Sequence, residues 1–256
     1  MITPKNPELN VLLQSSDYLN SNMKKYVQSS KLIYQKKHSL FYLKGYSKNK
    51  NKKFINSLDI TCKRLHQLSY DLKKKFNVNT KYLNIIIVDC PQKRKFIDNK
   101  FFINGGFTYL NGDTIYIYRF QEFQKVVLHE FLHHHFIYDH NEYLYINNIK
   151  INFNEAIIEF LATYYQCKFT KTLIKDEIKY SKEVAQKVIA INLNNNTNIF
   201  SYCVIKYILL QNYKNILINI KNPKYIINYI MNFKLKLKPI KPKHNENLKF
   251  VSCSNI

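Results

Sequence analysis

The sequence predicts an α+β fold with a small mixed β-sheet and a helical C-terminal lobe, on three observations. Ile85-Ile86-Ile87-Val88 is an unbroken β-branched run, as expected of a strand buried on both faces. Two extended stretches, 101–110 and 114–118, flank Asn111-Gly112-Asp113, a strong hairpin signal. From residue 154 onward the pattern is helical.

Taken in order, residues 1–53 hold short apolar patches, Val11-Leu12-Leu13, Leu32-Ile33-Tyr34 and Leu40 to Leu43, between polar stretches. They predict a basic, partly helical N-terminal extension with a flexible joint near the lysines at 48, 50, 52 and 53. Phe54, Leu58, Cys62, Leu65, Leu68, Leu72 and Phe76 recur at helical spacing and predict a long amphipathic helix packed on a sheet. Three of the four glycines, Gly105, Gly106 and Gly112, fall in the hairpin region. Further on, Leu173 to Ile191, Ile199 to Leu210, and a helix opened by Asn222-Pro223 and running to Phe233 complete the helical lobe. The main domain is expected over 54–240, with a sheet lobe at 54–137 and a helical lobe at 138–240. Residues 241–256 are expected to form a basic, extended or disordered tail.

Composition narrows the class. With 46% apolar residues in 256 the chain has ample material for a core. It has no 18-residue apolar run to predict a transmembrane helix. Its first residues lack a signal peptide's basic region and apolar block. Five widely spaced cysteines, Cys62, Cys90, Cys167, Cys203 and Cys253, form no Cys-x-x-Cys pair and suit a reducing compartment. An intracellular, cytoplasmic location is therefore expected. The excess of Lys, Asn, Ile and Tyr matches codons poor in G and C and implies an AT-rich genome, such as that of a virus, parasite or AT-rich bacterium. The net charge is +23, yet residues 101–168 carry 7 acidic and 4 basic groups. An acidic segment within a basic protein suits a divalent cation, while the basic exterior would attract nucleic acid or anionic membrane. No glycine-rich phosphate loop is present, which disfavours a nucleotide enzyme.

That acidic segment contains His129-Glu130-Phe131-Leu132-His133 inside an apolar run. Histidines four apart on a helix share a face with Cβ atoms roughly 6 Å apart, so both imidazoles can hold one ion. Glu130 points about 100° around the helix, where a carboxylate can take a proton from water bound to that ion. The next helix, from Asn154 as its expected cap through Ala162, carries Glu155 and Glu159 one turn apart on one face. A catalytic zinc commonly takes three protein ligands and keeps one open position. Glu155 is one candidate for the third ligand, and Glu159 can then accept a hydrogen bond from the far nitrogen of a ligand histidine. Asp139 is the alternative ligand, six residues after His133. His134, His135 and His140 are expected on the helix surface or behind the ligands.

These two motifs, with 21 residues between His133 and Glu155, resemble those of the gluzincin metallopeptidases over residues 102–162. The resemblance implies a zincin-like fold with the active-site helix above a cleft. It implies one Zn2+ bound by His129, His133 and Glu155, with Glu130 as general base and Glu159 orienting His129. It further implies that Ile103, Asn104, Gly105, Gly106, Phe107 and Thr108 form an edge strand that binds extended peptide by β-augmentation. Asp139 stands where the metzincin-like branch places its third ligand. That branch needs a glycine three residues after the second histidine, where this chain has Phe136, so Glu155 is preferred. The expected function is zinc-dependent hydrolysis of a peptide or protein substrate. The alternative is a non-catalytic zinc-containing basic module that binds nucleic acid or a protein partner. The donor for the oxyanion is left among Tyr138, Tyr143, Tyr145 and the tyrosines of the helical lobe.

Overall fold

The Ile85-Ile86-Ile87-Val88 run lies in a strand at the centre of a five-stranded mixed sheet. The computed structural model describes residues 7–14, 19–95, 104–109, 112–135, 143–146, 149–191, 197–244 and 246–253. The chain divides after His135 into two compact units.

In the first unit a single 3-10 turn, Pro7–Leu9, leads into helix α1 (Asn10–Gln14) and then α2 (Ser21–Ser29). The Asn20 side chain caps α2 by accepting from the Met23 N–H at 3.0 Å. Strands β1 (Lys31–Lys37) and β2 (Phe41–Ser47) pair antiparallel. Helix α3 (Lys52–Phe76) then crosses over to β3 (Leu83–Val88), which runs parallel to β2, as a parallel pair requires. Strands β4 (Gly106–Thr108) and β5 (Thr114–Ile117) form an antiparallel pair, and helix α4 (Phe123–His135) ends the unit. The strand order is β1-β2-β3-β5-β4, with β3 parallel to both neighbours.

Burial follows from these sequences. Leu83, Ile85, Ile86, Ile87 and Val88 are all buried because both faces of the sheet are covered. On one face Leu9, Leu12, Met23 and Val27 pack with Tyr46, Ile86, Val88, Phe107 and Tyr116. The other face carries α3, whose stripe Phe54, Leu58, Leu65, Leu68 and Leu72 is buried as its spacing predicts. Gly45 on β2 lets Leu58 approach so closely that a Cβ there would collide with it. Asn51 caps the start of α3, and Asn77 ends it in the left-handed conformation at φ 49°.

One expectation is corrected here. Residues 31–37 and 41–47 are two strands of the sheet rather than part of a partly helical N-terminal extension. Phe41, Leu43 and Tyr46 are buried, while β1 is an exposed edge whose lysines at 31, 36 and 37 mask the strand pattern.

The second unit opens with a hairpin, β6 (Tyr143–Ile146) against β7 (Ile149–Asn152), that runs directly into α5 (Phe153–Thr170). The cap is Asn152, which accepts from the Glu155 N–H at 3.1 Å, not the expected Asn154, which is buried inside the first turn. Helix α6 (Ile174–Ala190) follows. Next comes one helical stretch made of α7 (Thr197–Phe200), a π segment (Ser201–Ile205) and α8 (Lys206–Gln211). Helices α9 (Tyr213–Ile218) and α10 (Pro223–Asn232) complete it, the latter capped by Asn222 with proline in its first turn. The described residues of the basic tail form no helix or strand, yet they are held. Leu248, Phe250 and Val251 are buried, and Lys187 pairs with Glu246 at 2.5 Å. No helix among the described residues is long and apolar enough to cross a membrane.

Candidate metal centre

Helix α4 is buried on every side, although seven of its thirteen residues are polar. Its start is fixed by guanidinium groups. Only three of the chain's 40 basic residues are arginine, and all three act here. Arg94 pairs with Glu122 at 2.6 Å and donates to the Gln121 carbonyl. Arg119 donates to the carbonyls of Asn104 (3.1 Å) and Gln92 (2.9 Å). Arg64 bonds the side chain of Gln124, which in turn donates to the Ser57 carbonyl at 3.1 Å. Lysine, with one point charge, cannot span several acceptors in this way. Burial, and then the charge of Arg94, push the Arg119 pKa down to about 10. Glu122 itself has φ 58°, and its carbonyl accepts from Val126, turning the chain into α4.

Two turns on, the imidazoles of His129 and His133 stand with their Nε2 atoms 3.1 Å apart and their ring planes at 70°. Two nitrogens bound tetrahedrally to zinc at about 2.0–2.1 Å are separated by about 3.3 Å. The histidine pair therefore fits the edge of such a site without rearrangement. Glu130 is buried between them in sequence.

The next two histidines are occupied elsewhere. His134 Nε2 lies 2.5 Å from Thr108 Oγ1, whose own hydrogen goes to the Thr114 carbonyl at 3.2 Å. His134 is thus the donor in that bond. Burial, then the neighbouring His135 and His133, push its pKa down to about 4. His135 Nδ1 donates to the Phe131 carbonyl at 2.7 Å, and its Nε2 accepts from the Lys81 N–H at 2.9 Å, which fixes one neutral tautomer. Both rings are buried rather than on the helix surface, and they tie α4 to β4 and to the chain leading into β3.

The stretch expected as an edge strand is seen in part, since Ile103 lies outside the described residues. Gly106, Phe107 and Thr108 form β4 at the end of the sheet order, paired on one side with β5. Asn104 and Gly105 precede it, their carbonyls taken by Arg119 and by the Tyr118 N–H. Both glycines leave room for a close neighbour. A Cβ at Gly105 would meet the Arg94 guanidinium, and one at Gly106 would lie 2.9 Å from the Tyr116 carbonyl oxygen.

In the second unit Glu155 sits in the first turn of α5, half-buried, and Glu159 lies one turn further on, 1% exposed. Tyr202 donates its hydroxyl to Glu155 Oε2 at 3.1 Å. This tyrosine belongs to the π segment, and single π turns inside α-helices occur frequently at functional sites. No sequence signal singled it out among 21 tyrosines. Tyr143 and Tyr145 are exposed on the β6–β7 hairpin. Asp139, His140 and Tyr138 lie outside the described residues. A second group able to hold a cation is Cys167, Glu177 and Cys253, whose ligand atoms lie within 4.8 Å of one another. The chain matches no protein-family model and no curated protein sequence.

Proposed function

We propose that the chain is a zincin-like, zinc-dependent metallopeptidase that binds one Zn2+ through His129, His133 and Glu155. The observation that carries this reading is the 3.1 Å separation of the His129 and His133 Nε2 atoms on a buried His-Glu-x-x-His helix. Zinc held there would polarise a peptide carbonyl and lower the pKa of coordinated water to about 7. Glu130 then takes the proton of the attacking water and returns it to the leaving amine. Tyr202 donates to the oxyanion that develops on the scissile carbonyl, which its present bond to Glu155 supports. Glu159 accepts from the outer nitrogen of His129 and fixes its tautomer. Residues 103–108, whose described part includes the edge strand β4, align an extended peptide by main-chain hydrogen bonds.

The test is zinc content and cleavage of an unfolded basic protein, for wild type, Glu130→Gln and His129→Ala. One zinc per chain in the first two, cleavage only in wild type, and no zinc in the third is the expected result. Zinc in wild type and Glu130→Gln with no cleavage by either would leave the non-catalytic basic module, to be sought by salt-dependent nucleic-acid binding. Absence of zinc from wild type would overturn the proposal.

A further inference from the structure

We propose that Cys167 and Cys253 form a reversible disulfide that fastens the C-terminal segment of the chain to α5. Their Sγ atoms lie 3.7 Å apart although 86 positions separate them in sequence. Both sides of the contact are held in place. Cys167 lies in the last turn of α5, which ends at Lys171 in the left-handed conformation, with the Thr172 N–H bonded to the Cys167 carbonyl. On the other side, Gln166 donates to the Cys253 carbonyl, the Ser252 N–H and hydroxyl donate to Glu177 Oε2 at 2.8 and 2.6 Å, and Lys206 binds the Phe250 carbonyl. Leu248, Phe250 and Val251 bury the segment that carries Cys253.

The surroundings favour thiol chemistry over a metal. Glu177 also accepts from Ser181 at 3.0 Å, and the buried Lys206 ammonium lies 3.8 Å from its Oε1. That carboxylate already accepts three hydrogen bonds, and the ammonium beside it would repel a dication. The two thiols are unequal. Cys253 is held below the ordinary thiol range by the Cys167 S–H and, against its burial, by the hydroxyls of Thr170 and Thr172. Cys167 is pushed up by the same bond to Cys253 and by burial. At 7% exposure Cys253 is also the more accessible of the two, Cys167 being fully buried. Cys253 is therefore the attacking thiolate and Cys167 the resolving thiol.

With hydrogen peroxide as oxidant, the Cys253 thiolate attacks one peroxide oxygen and the O–O bond breaks. The departing hydroxide takes up the proton released when Cys253 ionised, which leaves water and a sulfenic acid on Cys253. The Cys167 sulfur then attacks the Cys253 sulfur, and the displaced hydroxide leaves with the Cys167 proton as a second water. The dithiol loses two electrons, and one peroxide becomes two waters.

The full chain, treated with hydrogen peroxide, alkylated under denaturing conditions and mapped by peptide mass, tests this. Reactive thiols are expected to fall from five to three, with one crosslink joining Cys167 to Cys253 that dithiothreitol reverses. Cys167→Ala should instead accumulate a dimedone-reactive sulfenic acid at Cys253. Retention of all five thiols, or a crosslink joining another pair, would overturn the proposal. So would protection of Cys167 and Cys253 that only a chelator removes and that persists in His129→Ala, since the pair would then be metal ligands. The wild-type map decides the matter even if the variant fails to fold.

Discussion

Glu122→Gln isolates the device that aims α4. The substitution keeps the shape of the side chain and its left-handed backbone but removes the charge opposite Arg94. The two groups are 2.6 Å apart and 1% and 0% exposed, so water cannot replace the lost partner. Arg119 is also fully buried nearby, and its pKa is lowered first by that burial and then by the charge of Arg94. Glu122 thus balances a pair of guanidiniums in a space with little solvent. Breaking a buried pair from one side costs about 3–5 kcal/mol, here toward the upper end. At about 3 °C per kcal/mol for a chain of this size, the transition falls by about 10–15 °C.

Thermal and denaturant unfolding of Glu122→Gln, Arg94→Met and the double variant provide the measurement. Each single change should cost several kcal/mol. The double change should cost clearly less than their sum, because it leaves no uncompensated charge. Single losses below about 1 kcal/mol, or strict additivity, would refute the view that this pair holds the start of α4.

Four further outcomes are expected. On the proposed mechanism, Tyr202→Phe should bind zinc as wild type does and lose about 100-fold in kcat, measured by zinc analysis beside steady-state kinetics on a peptide. Lys171→Gly should raise stability by about 1 kcal/mol in urea unfolding, because Lys171 closes α5 at φ 56°, where glycine carries no Cβ penalty. Asn152→Ala should cost about 1 kcal/mol by removing the cap of α5, with loss of helical circular dichroism at lower urea than wild type. Asp59, whose carboxyl is held low by the Tyr34 hydroxyl and then by Lys36, should contribute stability that is full above the ordinary aspartate pKa and lost as pH falls through the depressed value. The effect stays below about 1 kcal/mol because the pair is nearly half exposed. Wild type and Asp59→Asn should therefore converge in stability as the pH falls below the depressed pKa of Asp59.

What was legible in the sequence is what one period or one cap specifies. The α3 stripe, the β3 run, α6 and the Asn-Pro start of α10 each depend on residues within a single element, and each lies where that pattern placed it. The edge strand β1 was hidden by the lysines that solvate it, and the buried end of the chain by the lysine-rich stretch before Leu248. The cap of α5 was misplaced by two residues because Asn152 and Asn154 both fit locally. Only the hairpin entering from β7 selects the first. For the site, spacing alone paired His129 with His133 and set Glu130 beside them. Tyr202 was not legible because it depends on a π turn, which no local pattern in the sequence encodes.

The polar content of α4 gives the strongest argument that this helix is more than core. Thirteen consecutive buried positions would be most stable if filled with apolar side chains, because each buried polar group must find a partner or incur a desolvation cost. Gln124, His134 and His135 each have an identifiable structural partner: Arg64 with Ser57, Thr108, and Phe131 with Lys81. Such ties explain those three residues by positioning alone. His129 and His133 differ from them in standing on successive turns with their Nε2 atoms 3.1 Å apart, with the buried Glu130 next to His129 in sequence. Leucine or phenylalanine at 129 and 133 would pack the same space at lower cost. A sequence that places histidines there departs from the rule it follows around them, and such departures mark function where the surrounding structure has been arranged to hold them.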